Sequence, residues 1–211
     1  MASHAFFSGI IKELLQSKRY GRELRVLDVG CGERKKELGE IDVVGVDLLP
    51  LKGVDVVCDL SVFPWSFDDD AFDLVICDDV LEHFEDVVGV MEEIHRITRN
   101  GGLVLVSVPH FTSDNYYTDI THRRPFTSRS FDFFDSRKSG VHRYYTDACF
   151  HVRKKVIGFS EILPSGNKHF PNIHKVVGIQ YLVNKFQRIY EKFFAYILPA
   201  TELYFELVVD K

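Results

Sequence analysis

Acids and glycines at the ends of apolar runs are where this sequence first offers chemistry. Residues 26–47 read VLDVGCGERKKELGEIDVVGVD, in which one apolar run ends at Asp28, Gly30-Cys31-Gly32 follow, and a second run ends at Asp47. Glycines directly after a strand let the backbone turn tightly and approach a ligand without side-chain collision. A carboxylate at the tip of the next strand can accept hydrogen bonds from both hydroxyls of a ribose. Further along, FDLVIC is followed by Asp78, SVP by His110, and the polar loop DITHRRPFT holds His122, Arg123 and Arg124.

Two details narrow the choice among nucleoside ligands. A dinucleotide fingerprint asks for a third glycine where Lys35 stands. Asp28 also puts a carboxylate beside the turn, which repels a pyrophosphate but suits a ligand with an ammonium and a sulfonium, as in S-adenosylmethionine.

The elements that would position these residues are short and β-branched. Leu24–Val29, Asp42–Asp47, Asp55–Asp59, Phe72–Cys77 and Leu103–Val108 read as strands covered by helices on both faces. Between the last two, Val87, Val90, Met91, Ile94 and Ile97 trace one helical stripe, and Asn100-Gly101-Gly102 is expected to stop it. A short helix is expected after Gly32, since only 19 positions separate Asp28 from Asp47. Phe6, Phe7, Ile10, Ile11, Leu14 and Leu15 predict an amphipathic first helix rather than a signal peptide. Strand patterning returns at Val152–Phe159. Residues 176–198 put Ile179, Leu182, Val183, Phe186, Ile189, Tyr190, Phe193 and Ile197 on one side of a helix. That face is expected to be buried over the sheet, with a homodimer contact as its second use. ELYFELVVD then reads as a last strand. The fold expected is a three-layer α/β sandwich with seven strands, mostly parallel, the last antiparallel. It forms one domain over 1–211, with a cofactor half to about 110 and a substrate half beyond.

The 211 residues are 45% apolar and 27% charged, as in a globular chain, with a net charge of −5. No overall basic field draws this protein to nucleic acid, and no run reaches the roughly 18 apolar residues of a membrane span. Cys31, Cys58, Cys77 and Cys149 lack C-x-x-C spacing, which predicts reduced thiols in a cytoplasmic protein and no zinc site. His83 and His95 fall in helical segments and are expected to pack or hydrogen-bond, and no metal site is expected.

The motifs together resemble class I S-adenosylmethionine-dependent methyltransferases, most closely the type 11 group. VLDVGCG resembles their first motif and VGVD their second. VCDLSVFPWSFDDDAFDLVICDDVLEHF and EIHRITRNGGLVLVSVP resemble the stretches through the fourth and fifth strands. The resemblance implies that Asp28 and the backbone of Gly30, Cys31 and Gly32 hold the methionine moiety, and that Asp47 holds the ribose. It further implies that Leu48 packs against adenine, that Asp59 accepts from the adenine amino group with Leu60 beside it, and that Asp78 lies near the reacting methyl.

Chemistry at an open parallel sheet takes place outside the carboxyl ends of its strands. His110 is therefore the first candidate for a general base, with His122 second. Tyr116, Tyr117, His122, Arg123 and Arg124 are candidates to hold a small-molecule or a glycan or lipid-precursor acceptor. A non-catalytic S-adenosylmethionine-binding protein and a dinucleotide-dependent oxidoreductase stay as alternatives. Cys77-Asp78-Asp79-Val80 lacks the Pro-Pro-aromatic tetrad of many nucleic-acid base methyltransferases.

Overall fold

A computed structural model describes residues 6–7, 9–11, 24–39, 41–135, 137–138, 144–159 and 178–211. Seven strands form one sheet: β1 (Val26–Val29), β2 (Val43–Asp47), β3 (Val56–Val57), β4 (Phe72–Asp78), β5 (Thr98–Pro109), β6 (Cys149–Gly158) and β7 (Glu202–Asp210). Their spatial order is β3-β2-β1-β4-β5-β7-β6. The first five run parallel, and β7 is antiparallel to both its neighbours. The chain therefore winds outward from β1 to β3 and then crosses to β4, making a switch point between β1 and β4. This is the architecture expected from the sequence.

Helix α1 (Val87–Ile97) covers one face of the sheet. Its Val90, Met91, Ile94 and Ile97 share a buried cluster with Val75, Cys77, Val104 and Val106. Residues 6–7 and 9–11 are helical and cover the other face, where Phe7, Ile10 and Ile11 meet Val26, Leu74, Ile76, Leu103 and Leu105. Alternate residues of each central strand thus enter opposite clusters, as the period of two requires. Leu14 and Leu15 lie outside the described residues.

Four local expectations need correction. No helix follows Gly32 among residues 33–39, which form turns and an extended strap. The N–H groups of Gly32 and Lys36 donate to the carboxylates of Asp47 and Asp28, at 2.9 and 2.7 Å. The strap also lies directly on Gly45, where an added Cβ would sit 2.7 Å from Lys35 Cδ and 2.8 Å from Cys31 Sγ. Second, α1 stops at Ile97, ahead of Asn100-Gly101-Gly102, because Thr98 already pairs with Phe72 and opens β5.

Third, the helix expected across 176–198 is two helices, α3 (Ile179–Lys185) and α4 (Gln187–Phe193), broken at Phe186 with φ −125° and ψ 44°. Residues 176 and 177 lie outside the described part. (Helix α2 is the single turn Asp114–Thr118.) Fourth, the apolar side of this pair is not buried over the sheet. Leu182, Phe186, Ile189, Phe193 and Ile197 are exposed, while Val183 and Tyr190 are buried. The polar side docks instead on edge strand β6. Asn184 accepts from Ile157 N–H at 2.8 Å and donates to its carbonyl at 2.9 Å, and Gln187 donates to the Lys155 carbonyl at 3.1 Å. Edge-strand groups need partners, and these amides supply them.

Candidate active site

Parallel strands β1, β2 and β4 end together, and their terminal residues meet at the switch point. Val29 lies level with Cys77, so Gly30 and Asp78 follow at the same height. Gly30 has φ +66°, and a Cβ there would come within 2.4 Å of Val80 Cγ2. Gly32 has φ +53° and faces open space. A cavity of about 670 Å³ opens at this edge, lined by Asp28, Gly30, Cys31, Lys36, Asp78 and Asp79 among others.

Asp28 is almost fully buried, and burial pushes its carboxyl up to about 6 even though Lys36 N–H bonds it. Lys36 Nζ reaches across to Asp78 Oδ2 at 2.5 Å, so one lysine ties both acids. Asp47 ends β2, where Oδ2 accepts from Gly32 N–H at 2.9 Å and Oδ1 from Leu49 N–H at 3.1 Å. Each oxygen keeps a further lone pair for a hydroxyl. Leu48 beside it is exposed. Asp59 accepts from Ser61 N–H at 2.9 Å, whereas Leu60 is buried and its carbonyl takes the Trp65 indole N–H at 3.1 Å.

A second group of acids, Asp79, Glu82 and Glu202, adjoins Asp78, and of these only Asp79 lines the cavity. Asp79 adopts φ 54°, and its N–H donates to the Ser107 carbonyl at 3.0 Å. Burial, then the neighbouring Asp78, raises its carboxyl. Glu82 is completely buried. Burial first, then the charges of Asp79, Glu202 and Asp78, push it up to about 9. Glu202 is raised to about 8 by burial and by Asp79 and Asp78. Glu202 does not stand out in the sequence by type or motif. Its signal was the antiparallel last strand, whose first residue must lie at the edge where parallel strands end, here opposite Pro109.

The histidines separate into two settings. His110 is fully buried. Its Nδ1 accepts from Thr112 N–H at 3.2 Å, so Nε2 carries the proton and faces Glu191 Oε1 at 3.6 Å. Glu191 in turn accepts from Ser128 N–H and Oγ at 2.5 and 3.0 Å. These contacts bind α4 to the loops after β5, and His110 does not line the cavity. His122 instead lies against the segment after β4, its ring 4.7 Å from that of His83 and Nε2 3.8 Å from Glu82. Arg123 and Arg124 donate their N–H groups to the Glu82 carbonyl at 2.7 and 3.3 Å. The Arg124 guanidinium grips the Glu85 carbonyl, and Arg123 pairs with the Glu85 carboxylate. Tyr116 offers its carbonyl to His122, and Tyr117 is exposed. The basic loop is thus clamped onto Glu82–Glu85.

Residues 2–140 match the family model described as a methyltransferase domain. The chain belongs to that methyltransferase family. The class I resemblance in its motifs is thereby borne out, and with it S-adenosylmethionine as the donor. None of the curated proteins matches this methyltransferase in sequence. Among solved structures, it is similar to an S-adenosylmethionine-dependent methyltransferase from Archaeoglobus fulgidus, at 19% identity over 98% of this chain and 94% of that one, with a TM-score of 0.54. A putative methyltransferase of Haloferax volcanii, solved with its activator Trm112, matches at 17% identity, 100% and 97% coverage and a TM-score of 0.55. The cyclase SpnF matches at 15%, 96% and 81%, with a TM-score of 0.57. These likenesses concern the fold. The donor set suits the cofactor on its own chemistry: Asp28 and Asp78 offer two carboxylates to an ammonium and a sulfonium, and Gly30 and Gly32 leave the backbone bare.

Proposed function

We propose that this methyltransferase moves a methyl group by in-line displacement onto a small-molecule acceptor, with a glycan or lipid precursor within that class. When bound, S-adenosylmethionine supplies the activated methyl on its sulfonium. Asp28 and the Gly30–Gly32 backbone hold the methionine end, Asp47 the ribose, and Leu48 with Asp59 the base. Asp78 stands by the reacting carbon, in place of the dinucleotide chemistry that Lys35 disfavours.

The observation that carries the choice of acceptor is the mixed charge of the cavity wall. Asp28, Glu37, Asp78 and Asp79 line it together with Arg34, Lys35 and Lys36, and the guanidiniums of Arg123 and Arg124 in the later loop are held by Glu85. A polyanion finds no extended basic track at such an edge, which favours a small acceptor of little net charge. Where the acceptor carries a proton, Glu202 is the general base we favour. A carboxyl raised to about 8 is a stronger base than an ordinary one, and the fraction ionised grows as pH rises from neutral. His110, locked between Thr112 and Glu191, acts in this reading as a positioning residue for the loops.

Calorimetric titration with S-adenosylhomocysteine, with NADH as comparator, tests the proposal. Micromolar binding of S-adenosylhomocysteine that is lost in Asp47→Ala supports it. Preference for NADH, or no binding, overturns it.

A further inference from the structure

From Glu82, His83 and His122 we infer a binding site for one divalent transition-metal ion. One ligating atom from each of the three residues lies within 4.8 Å of the others. The sequence had led us to expect no metal.

The hydrogen bonds around the two rings prepare them as ligands. Thr121 Oγ1 lies 2.6 Å from Asp119 Oδ1, a carboxylate that can only accept, so the hydroxyl proton is committed there. The same oxygen is 2.9 Å from His83 Nδ1 and must accept from it. His122 Nδ1 is 3.0 Å from the Tyr116 carbonyl, again an acceptor. Both rings therefore carry their proton on Nδ1 and keep a lone pair on Nε2. Metal-ligating histidines are oriented in this way, with the far N–H given to a carbonyl or a carboxylate-linked group.

Glu82 supplies the independent sign. Its side chain is 0% exposed, and both carboxylate oxygens lie buried without a hydrogen-bond partner. A carboxyl in such a position either keeps a proton or pairs with a cation. The nearest facing groups are acids that worsen its isolation, apart from the two imidazoles. A cation between one carboxylate and two neutral imidazoles resolves this. Two histidines and a carboxylate are a donor set for manganese, iron, cobalt or zinc rather than for magnesium or calcium. The 3.8 Å between His122 Nε2 and Glu82 Oε1 is wider than the separation around a bound ion, so the ligands would draw inward on binding.

The test is titration of the EDTA-treated full chain with cobalt(II), followed by d–d absorption and calorimetry, with melting temperature alongside. We expect one ion per chain, a rise in melting temperature on binding, and loss of uptake in Glu82→Gln and His122→Ala. Thr121→Val keeps all three ligands and removes only the bond that sets the His83 tautomer. It is expected to weaken uptake about tenfold, and it decides the matter should the ligand variants fail to fold. No stoichiometric uptake by the wild-type chain, or uptake unchanged in these variants, overturns the inference. S-Adenosylhomocysteine binding measured on the same EDTA-treated sample tests the donor site separately, so either reading can fail without the other.

Discussion

Lys36 Nζ lies 2.5 Å from Asp78 Oδ2, while the same residue's N–H donates to Asp28 Oδ2 at 2.7 Å. One lysine thus holds the two acids to which the proposed function assigns the positive charges of the donor. The ion pair is part-buried and competes with the ligand's ammonium. We expect Lys36→Met to tighten S-adenosylhomocysteine binding about two- to fivefold, the range of a modest ion pair, as read by calorimetry. Weaker binding in the variant would show that Lys36 serves the ligand's carboxylate instead.

The two glycines of the turn should fail differently. At Gly30 both a positive φ and the Val80 side chain oppose a Cβ, so Gly30→Ala should cost roughly 2–4 kcal/mol in urea unfolding. At Gly32 there is open space, and only the backbone strain of about 1 kcal/mol applies. Gly32→Ala should therefore stay folded and lose ligand affinity, since the methyl would point into the room the ligand needs.

Asp28, Glu202 and Glu82 are all raised above their ordinary values, to about 6, 8 and 9, by burial first and then by neighbouring acids. A raised carboxyl contributes stability below its unfolded pKa and loses it as pH climbs through the folded one. In metal-free protein the melting temperature should accordingly fall between about pH 5 and 9. Asp135, held down to about 2 mainly by Arg137, works oppositely and protects only above the acid range. Glu82→Gln should flatten the decline above pH 7 and raise the melting temperature at pH 8 by several degrees, at about 2–4 °C per kcal/mol for a chain of this size.

Asn184 serves both backbone groups of Ile157 with one amide. Replacing it with alanine strips two partners from the edge of the sheet. Asn184→Ala should cost roughly 1–3 kcal/mol by denaturant unfolding, and a neutral result would mean that water replaces the amide at no cost.

Much of this was legible because the signals were local. Apolar runs ending in Asp28, Asp47 and Asp78 located three strands and their carboxyl ends, and alternation located β7. What escaped depended on partners distant in sequence. Lys36 cannot be seen as a strap residue without Asp28 and Asp78 beside it, so residues 33–39 read as helix. The stripe through Leu182, Phe186 and Ile189 has helical periodicity, yet periodicity does not say which face meets the protein. There the amides of Asn184 and Gln187 found unpaired strand groups, and those groups decided the docking. His83 and His122 lie 39 positions apart and became neighbours only when the loop folded back on Glu82–Glu85.

Strand β7 lies between β5 and β6 and pairs with both along most of its length. Leu103 therefore waits for Val208, over a hundred residues later, before its strand gains its second neighbour. During synthesis the parallel half of the sheet can assemble early while its β5 edge stays open to any passing strand. Strand β7 closes that edge and, in the same step, brings Glu202 beside Asp78 and Asp79, so the shielding of the sheet and the gathering of its acids arrive together in time.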